Sequence, residues 1–155
     1  MQHPPGKSRI RLAGIEDRPA VEAVVEAAYA HYVPRIGRKP GPMLDDYAGL
    51  IRAGRVHVLE DETAIVGVLV LIPEAGTLLL DNVAILPDAQ GLGHGRKLLQ
   101  FAEQSARDAG YGSIRLYTNE AMTENIALYS RIGYIETHRA EEKGLRRVNM
   151  TKRLT

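Results

Sequence analysis

The chain has 155 residues, so a single domain is expected, because domains typically hold about 150 residues. Its 20 Lys and Arg against 19 Asp and Glu give a net charge of +1, which argues against a histone-like, non-specific DNA binder. The absence of cysteine excludes disulfides, Cys-ligated zinc, iron–sulfur clusters and cysteine nucleophiles.

No segment predicts a membrane span or secretion. The longest apolar run, Ala64–Ile72, is interrupted by Gly67 and is far shorter than the roughly 18 residues of a transmembrane helix. The first residues lack the apolar core of a signal peptide, so we expect a cytoplasmic protein. The 5 histidines form no i, i+3 or i, i+4 pair, and nothing in their spacing suggests a metal site.

The N-terminal third predicts a tail, a strand and a helix. Residues 1–8 are rich in Pro and Gly and predict a flexible tail before a single domain over 9–155. A strand is expected over 10–13. Asp17 is then the expected N-cap of an amphipathic helix that ends near residue 32. Residues 33–42 hold three Pro and two Gly, which predict irregular structure.

The rest of the chain predicts a helix, three strands, a helix, a strand, a helix and two strands. Apolar spacing places them at residues 43–53, 55–60, 64–72, 77–86, 93–109, 113–118, 122–132, 134–140 and 146–153. Short connections predict that the three consecutive strands form an antiparallel meander. The strand–helix–strand unit that follows predicts one parallel pair. The fold class is therefore α/β (α+β), a mostly antiparallel mixed sheet of about seven strands with four flanking helices.

A glycine-rich segment, Gln90-Gly-Leu-Gly-His-Gly95, lies between a predicted strand and a predicted helix. Each glycine costs a helix about 1 kcal/mol relative to alanine, but glycine lets the backbone approach a ligand closely. Successive N–H groups at a helix N-terminus bind phosphate or pyrophosphate, and Arg96 and Lys97 add positive charge nearby. The dinucleotide pattern G-x-G-x-x-G fails, because Arg96 stands at its third glycine.

Gln90, Gly93 and Gly95 also fit the pattern Gln/Arg-x-x-Gly-x-Gly/Ala, which resembles the coenzyme-A loop of the GNAT N-acetyltransferase superfamily. The preceding strand, ending Asn82-Val-Ala-Ile-Leu-Pro87, is similar to the family's strand before that loop. Further downstream, Asn125-Ile-Ala-Leu-Tyr-Ser-Arg-Ile-Gly-Tyr134 resembles the family's Asn-x-x-(x)-Leu-Tyr-x-x-x-Gly-Phe/Tyr helix. The element order is also the family's, so the resemblance covers roughly residues 9–154.

The resemblance implies the GNAT acyltransferase fold, in which the parallel strand pair is splayed apart, with acetyl-CoA as cofactor. The amides of the pantetheine arm would pair backbone groups that splaying exposes, and these are expected on Val83, Ala84 and Ile85. Asn125 is expected to hold the cofactor or its own helix. The residues expected around the pyrophosphate are Gln90, Gly91, Leu92, Gly93, His94, Gly95 and Arg96.

The implied activity is direct acetyl transfer to a primary amine of a small molecule or peptide; a non-catalytic acyl-CoA sensor on the same fold is the alternative. An alkylamine has a pKa near about 10.4 and must lose a proton, while the leaving thiolate must gain one. Tyr129 matches the family's general-acid tyrosine, unless it only packs on the sheet. Asp81 is the candidate base, unless it is a solvated strand-end carboxylate; Tyr117 and Glu120 are other candidates.

In this family the first two helices, their connection and the last hairpin shape the acceptor pocket. The candidate pocket residues are Tyr29, Tyr32, Arg35 and Met43. Arg35 and Arg38 would suit an amine that also carries a carboxylate or phosphate, whereas Asp45 and Asp46 would suit a cationic amine. The sequence leaves this choice open, and a solvated loop with charges of both signs is the alternative.

Besides an amine acceptor, the sequence predicts no membrane or nucleic-acid partner. Basic residues on the C-terminal strands would serve a nucleic-acid binder, but on paired strands such charges more often form a solvated face, and glutamates dilute them. They are Arg139, Lys143, Arg146, Arg147, Lys152 and Arg153. Many members of the family pair through strands or helices, so a homodimer stays open.

Overall fold

The computed structural model describes residues 8–62 and 64–154, which form one seven-stranded sheet with helices on both faces. The strands are β1 (Arg9–Leu12), β2 (Val56–Glu60), β3 (Ile65–Glu74), β4 (Thr77–Ile85), β5 (Ser113–Asn119), β6 (Ile135–Glu142) and β7 (Leu145–Arg153). The helices are α1 (Arg18–Tyr29), the single turn α2 (Val33–Ile36), α3 (Tyr47–Arg52), α4 (His94–Asp108) and α5 (Thr123–Arg131). The four predicted helices are thus present in the described chain, together with the extra turn α2.

The strands lie in the order β1-β2-β3-β4-β5-β7-β6. Every pairing is antiparallel except that between β4 and β5, which are parallel and connected through α4. The predicted meander, parallel pair and fold class are therefore confirmed. Of the predicted N-terminal tail, Ser8 belongs to the described residues and the others lie outside them.

Two apolar cores pack on the two faces of the sheet. The core beneath α4 and α5 includes Leu69, Leu98, Ile114, Leu116 and Met150. The core beneath α1 and α3 includes Val21, Val24, Val25, Val58 and Val68. Burying one such side chain contributes about 1.5–3 kcal/mol, so the two cores fix the helices firmly against the sheet.

The prediction of irregular structure over residues 33–42 is wrong in its first part, where α2 forms. Pro34 lies in the first turn of α2, where a helix needs no N–H donor, so it does not disrupt the turn. Gly37 then ends α2 in the left-handed region, with φ 85°. The next predicted helix starts later than expected, at Tyr47, because Asp46 caps it by accepting a hydrogen bond from the Gly49 N–H.

Asp17 is the N-cap residue of α1, as predicted, but its side chain makes no capping hydrogen bond to that helix. Its carboxylate accepts a hydrogen bond from the Gly14 N–H at 2.8 Å and pairs with Arg11, also at 2.8 Å. Helix α1 ends at Tyr29, and the chain continues to Tyr32 as a 3-10 turn. Two strands, β3 and β6, each extend two residues into predicted turns. Over residues 8–62 and 64–154, no helix is both long and apolar enough to cross a membrane.

Candidate active site

A gap opens between the two parallel strands. They pair along Leu78–Leu80 of β4 and Ile114–Leu116 of β5, and the pairing stops there. Beyond this point β4 continues to Ile85 against β3, while β5 continues to Asn119 against β7. On that side, the last part of β4 therefore borders the gap rather than a neighbouring strand. This part includes the predicted cofactor residues Val83, Ala84 and Ile85.

A β-bulge in β4 lies where the gap begins. Leu80 pairs with Leu71 of β3 and Asn82 pairs with Val70, so Asp81 is the additional residue of the bulge. A bulge bends its strand and redirects a side chain, and bulges are frequent next to active sites. It places Asp81 at the narrow end of the gap, where it lines a small cavity.

The glycine-rich loop leads from β4 into α4. Gly91 and Gly93 have φ values of 80° and 86°, a region that favours glycine. A Cβ at Gly91, Gly93 or Gly95 would meet no heavy atom within 4 Å, so the loop is bordered by open space. The first N–H groups of α4 lack carbonyl partners within the helix and are available to an anion there. Gln90 Nε2 donates to the Ile85 carbonyl at 3.3 Å and ties the loop to β4.

The remaining loop residues differ in how far they extend into solvent. The Leu92 side chain is exposed (67%), Arg96 is exposed, and His94 is half-buried at the start of α4. Lys97, expected beside Arg96 as a second cation, instead donates from Nζ to the carbonyl and hydroxyl oxygens of Ser8. Of these two cations, Arg96 is therefore the one that remains exposed beside the loop.

The gap leads into a small cavity of about 40 Å³, called the main cavity here because both candidate proton-transfer residues line it. Five predicted site residues line it, namely Tyr29, Asp81, Val83, Asn125 and Tyr129. Pro40, Gly41 and Pro42 form the wall contributed by the segment between α2 and α3. The structure thus brings the candidate base and the candidate acid to one cavity.

Tyr129 lies on α5 and is almost fully buried, with 6% exposed. Burial raises the pKa of Tyr129 to about 12, so its hydroxyl keeps its proton at neutral pH and can donate it. Its ring contacts that of Tyr134 edge to face, with 5.7 Å between the ring centres. Asn125 lies one turn earlier on α5, so the two predicted side chains share a helix face towards the cavity.

Asp81 is held by the strand across the gap. Tyr117 Oη donates a hydrogen bond of 2.6 Å to Asp81 Oδ1. Burial, then Asp81, raises the pKa of Tyr117, so Tyr117 stays the donor of this bond. The Arg147 guanidinium carbon lies 4.3 Å from the centre of the Tyr117 ring, in cation–π contact. Arg147 Nη1 also pairs with Glu142 Oε2 at 2.6 Å.

A second, more open cavity of about 340 Å³ adjoins the first, and Asp81 lies in the wall of both. Asp45 and Asp46 line this second cavity beside the apolar side chains of Leu50 and Ile72. Partial burial, then the nearby Asp81, raises the pKa of Asp45 to about 6. Asp45 therefore carries less negative charge near pH 6 than an ordinary aspartate.

Buried hydrogen bonds fix the strand that carries Asp81. Tyr29 Oη donates to Asn82 Oδ1 at 2.7 Å, and Asn82 Nδ2 donates to Tyr47 Oη at 3.0 Å. Tyr47 Oη in turn donates to the Pro42 carbonyl. Burial raises the pKa of Tyr29 and of Tyr47, so both remain neutral donors. The network connects α1, β4 and α3 and holds the bulge in place.

Three predicted acceptor residues, Tyr32, Arg35 and Met43, do not line the main cavity. Arg35 Nη1 pairs with Glu124 Oε1 at 2.7 Å, and its guanidinium carbon lies 5.2 Å from the centre of the Tyr32 ring. Hydrogen bonds from Arg35 and Tyr32 lower the pKa of Glu124 to about 2. Arg35 thus connects α2 to α5. Met43 lines a separate cavity beside α1.

Sequence reasoning missed two residues of this cavity. Asn82 appears there only within a strand motif, and Arg147 only within a basic C-terminal face. Tyr117, a candidate base, donates a hydrogen bond to Asp81 in the structure. The signal that was needed is the register of β7 against β5, which only the structure gives: Tyr117 pairs with Asn149, and Arg147, two residues away, lies on the same face of the sheet.

Several other basic residues of the C-terminal strands are neutralised by glutamates. Arg146 and Arg139 both lie within ion-pair distance of Glu120, at 3.0 and 3.9 Å. Lys152 pairs with the buried Glu103 at 2.9 Å. These pairings fit a solvated, charge-balanced face better than a nucleic-acid surface.

Residues 52–136, more than half of the chain, match the family model of the acetyltransferase (GNAT) domain. The chain is 28% identical over 134 residues to the Uncharacterized N-acetyltransferase YjgM of Escherichia coli K12, covering 81% of this chain and 80% of that relative. Two solved structures share the fold. PaiA N-acetyltransferase from Thermoplasma acidophilum, in complex with coenzyme A, has a TM-score of 0.78 at 16% identity, covering 95% of this chain and 99% of that chain. The ribosomal-protein-S18-alanine N-acetyltransferase from Escherichia coli has a TM-score of 0.76 at 19% identity, covering 94% and 93%.

The chain belongs to the GNAT acetyltransferase family. It is an acyltransferase that uses acetyl-CoA as its acetyl donor. The residues present fit that donor. The glycine loop has open space where a pyrophosphate would lie, and the end of β4 leaves an edge without a neighbouring strand for the amides of a pantetheine arm.

Proposed function

We propose that the protein transfers the acetyl group of acetyl-CoA directly to the primary amine of a small molecule or peptide. The observation that carries the proposal is that Asp81 and Tyr129 line one cavity at the gap between β4 and β5. One side chain can accept a proton from an ammonium group, and the other can donate one to a leaving thiolate. Amine acylation by a thioester needs both functions.

Donor binding is assigned to the edge of β4 and to the glycine loop. Backbone groups of Val83, Ala84 and Ile85 would pair the amides of the pantetheine arm. The N–H groups of the loop and of the first turn of α4 would hold the pyrophosphate, with Arg96 as an exposed cation beside it. The loop residues in this assignment are Gln90, Gly91, Leu92, Gly93, His94 and Gly95. Asn125 lines the cavity from α5 and would hold the arm near its thiol end.

Proton transfer is assigned to two side chains. A primary alkylamine with a pKa near about 10.4 is almost wholly protonated at neutral pH, and Asp81 would accept its proton. The hydrogen bond from Tyr117 holds the Asp81 carboxylate in one orientation. Acetyl-CoA supplies the thioester that the amine attacks. As the N–C bond forms and the C–S bond breaks, Tyr129 would give its proton to the departing sulfur. The nitrogen loses a second proton as the amide forms, and that proton would restore the Tyr129 hydroxyl.

The acceptor is assigned as an amine because of the relatives as well as the site. YjgM is named as an N-acetyltransferase, and the Escherichia coli structural neighbour is named for an alanine of ribosomal protein S18. Nitrogen is the acceptor atom in both names. The chain has no cysteine, so an acetyl-cysteine intermediate is excluded and the transfer would be direct.

An acceptor screen with the purified protein tests the proposal. Acetyl-CoA is incubated with small amines, amino acids and short peptides, and with matched alcohols, while released thiol and acetylated product are measured. We expect thiol release with a subset of amines and product that carries the acetyl group on nitrogen. Acetyl-CoA binding by calorimetry without thiol release on any amine would contradict the proposal and support an acyl-CoA sensor. Acetylation of an alcohol alone would also contradict it.

A further inference from the structure

Two side chains of opposite charge face the main cavity. Among the described residues that line it, Asp81 and Arg147 are the charged ones. Arg147 comes from β7 and is only 13% exposed, so its guanidinium is largely withdrawn from water. A guanidinium in such a place needs anionic or hydrogen-bonding partners, because burial of an unpaired charge is costly.

The observed partners of Arg147 leave part of its guanidinium available. It has five N–H donors, and its ion pair with Glu142 uses Nη1. The Glu142 side chain is 52% exposed, so water competes for its carboxylate. Nη2 lies towards Gly41 in the cavity wall, where a Cβ would come within 3.1 Å of it. A ligand carboxylate in the cavity could therefore be bound by the fork of this guanidinium.

Tyr117 connects the two charges. Its hydroxyl is bonded to Asp81, and its ring face is covered by Arg147. A molecule whose amine lies at Asp81 would thus extend along Tyr117 towards the guanidinium. A second ammonium group in that molecule would be repelled by Arg147, and a neutral group would leave the guanidinium without a new partner. A carboxylate would pair with it.

We infer that Arg147 binds a carboxylate of the acceptor, so that the acceptor is an aminocarboxylate with its amine at Asp81. This inference rests on the proposed amine acetylation and names its substrate class. Arg147 is then a specificity-determining residue. Arg35, which the sequence offered for this role, pairs with Glu124 away from the cavity. Asp45 and Asp46, which would favour a cationic acceptor, line the second cavity and not the main one, and Asp45 lies close enough to Asp81 and Arg147 to interact with both.

Matched pairs of acceptors test the inference. Each amino acid is compared with its carboxamide, and each ω-amino acid with the alkylamine that lacks its carboxylate, through kcat/KM from thiol release. We expect kcat/KM to favour the carboxylate member by about tenfold to a hundredfold for at least one pair, the range expected for a charge-assisted hydrogen bond. Arg147→Gln should bring that ratio close to one, mainly by lowering kcat/KM for the carboxylate member.

Two further variants separate recognition from folding. Arg147→Lys keeps the charge but loses the planar fork, so it should retain only part of the preference. Arg146→Gln is the matched control, because Arg146 is the neighbouring residue, is 71% exposed and pairs with Glu120. It should leave the ratio unchanged. Acetyl-CoA affinity by calorimetry should be similar in all three variants, which shows that they are folded.

The outcomes are distinguishable. Equal kcat/KM for the carboxylate and carboxamide members of every pair, or a preference for diamines, overturns the inference and leaves amine acetylation standing. A carboxylate preference that survives Arg147→Gln overturns the role of Arg147. The absence of thiol release with every amine, despite acetyl-CoA binding, overturns the proposed function and this inference with it.

Discussion

The hydroxyl of Tyr117 donates a 2.6 Å hydrogen bond to Asp81 Oδ1 across the gap where β4 and β5 separate. The two residues lie on strands that are paired only a residue earlier, at Leu80 and Leu116. The bond therefore bridges the two sides of the gap at its narrow end. In the proposed mechanism, this bond would hold the carboxylate where it can meet the amine that attacks the thioester.

Asp81→Asn tests whether this carboxylate is the base. Asparagine can still accept the hydrogen bond from Tyr117, but it cannot take a proton from an ammonium group. We expect kcat to fall by about 10²–10⁴-fold, the usual contribution of general base catalysis, with little change in acetyl-CoA affinity by calorimetry. Asp108→Asn, at the far end of α4, serves as the control. An unchanged kcat for Asp81→Asn would show that the base lies elsewhere.

Tyr129→Phe tests the proton donor. It removes the buried hydroxyl, whose pKa of about 12 keeps it protonated, while the ring still packs against Tyr134. We expect kcat to fall by about 10²–10⁴-fold with acetyl-CoA affinity largely kept. The matched control is Tyr134→Phe, because the Tyr134 hydroxyl is buried and has no hydrogen-bond partner in the described structure. If both variants turn over at the same rate, Tyr129 has only a packing role.

His57 should make stability depend on pH. It lies on β2 with its ring 5.0 Å from that of Phe101, and its Nδ1 is buried with no hydrogen-bond partner in the described part of the chain. Burial lowers the pKa of His57 below 6.5, because the charged form is poorly solvated there. The contribution of the neutral His57 ring to the free energy of unfolding is therefore present above pH about 6.5. It is lost as the pH falls towards the lowered folded-state pKa.

Denaturant unfolding of the wild type and of His57→Leu measures this contribution. The experiment runs between pH 8 and pH 5, because that range spans the unperturbed histidine pKa of about 6.5. The wild type should lose more unfolding free energy over this range than the variant, since leucine cannot take up a proton. The effect should be about 1 kcal/mol or less, because His57 is only partly buried. Parallel pH curves for the two proteins would assign the pH dependence to the carboxylates instead.

The sequence could predict the sheet, its parallel pair and the glycine loop, because these depend on local periodicity and glycine spacing. It could not predict the bulge at Asp81, since nothing in an alternating strand marks the residue that lacks a partner. It could not place Arg147 either, because that requires the register of β7 against β5. It could not show that Arg35 pairs with Glu124, because Glu124 lies 89 residues away in the chain.

Gly95→Asp tests the loop as the site of the pyrophosphate. Gly95 lies within α4, and a Cβ there would meet no heavy atom within 4 Å, so the variant should fold. An aspartate at this position puts a carboxylate into the space assigned to the pyrophosphate, and the like charges repel each other. We expect calorimetry to detect no acetyl-CoA binding. Gly93→Asp should have the same effect on binding, but it also strains a residue with φ 86° and is the less clean test.

Gly95→Ala is the matched control for this variant. Alanine adds a neutral methyl group in open space and favours the helix by about 1 kcal/mol relative to glycine, so the melting temperature should rise slightly. Acetyl-CoA should still bind, since a methyl group neither repels the pyrophosphate nor removes an N–H donor. Normal binding by Gly95→Asp would exclude the loop as the anion site. Loss of binding by Gly95→Ala as well would mean that the space at residue 95, rather than the charge placed there, determines whether acetyl-CoA binds.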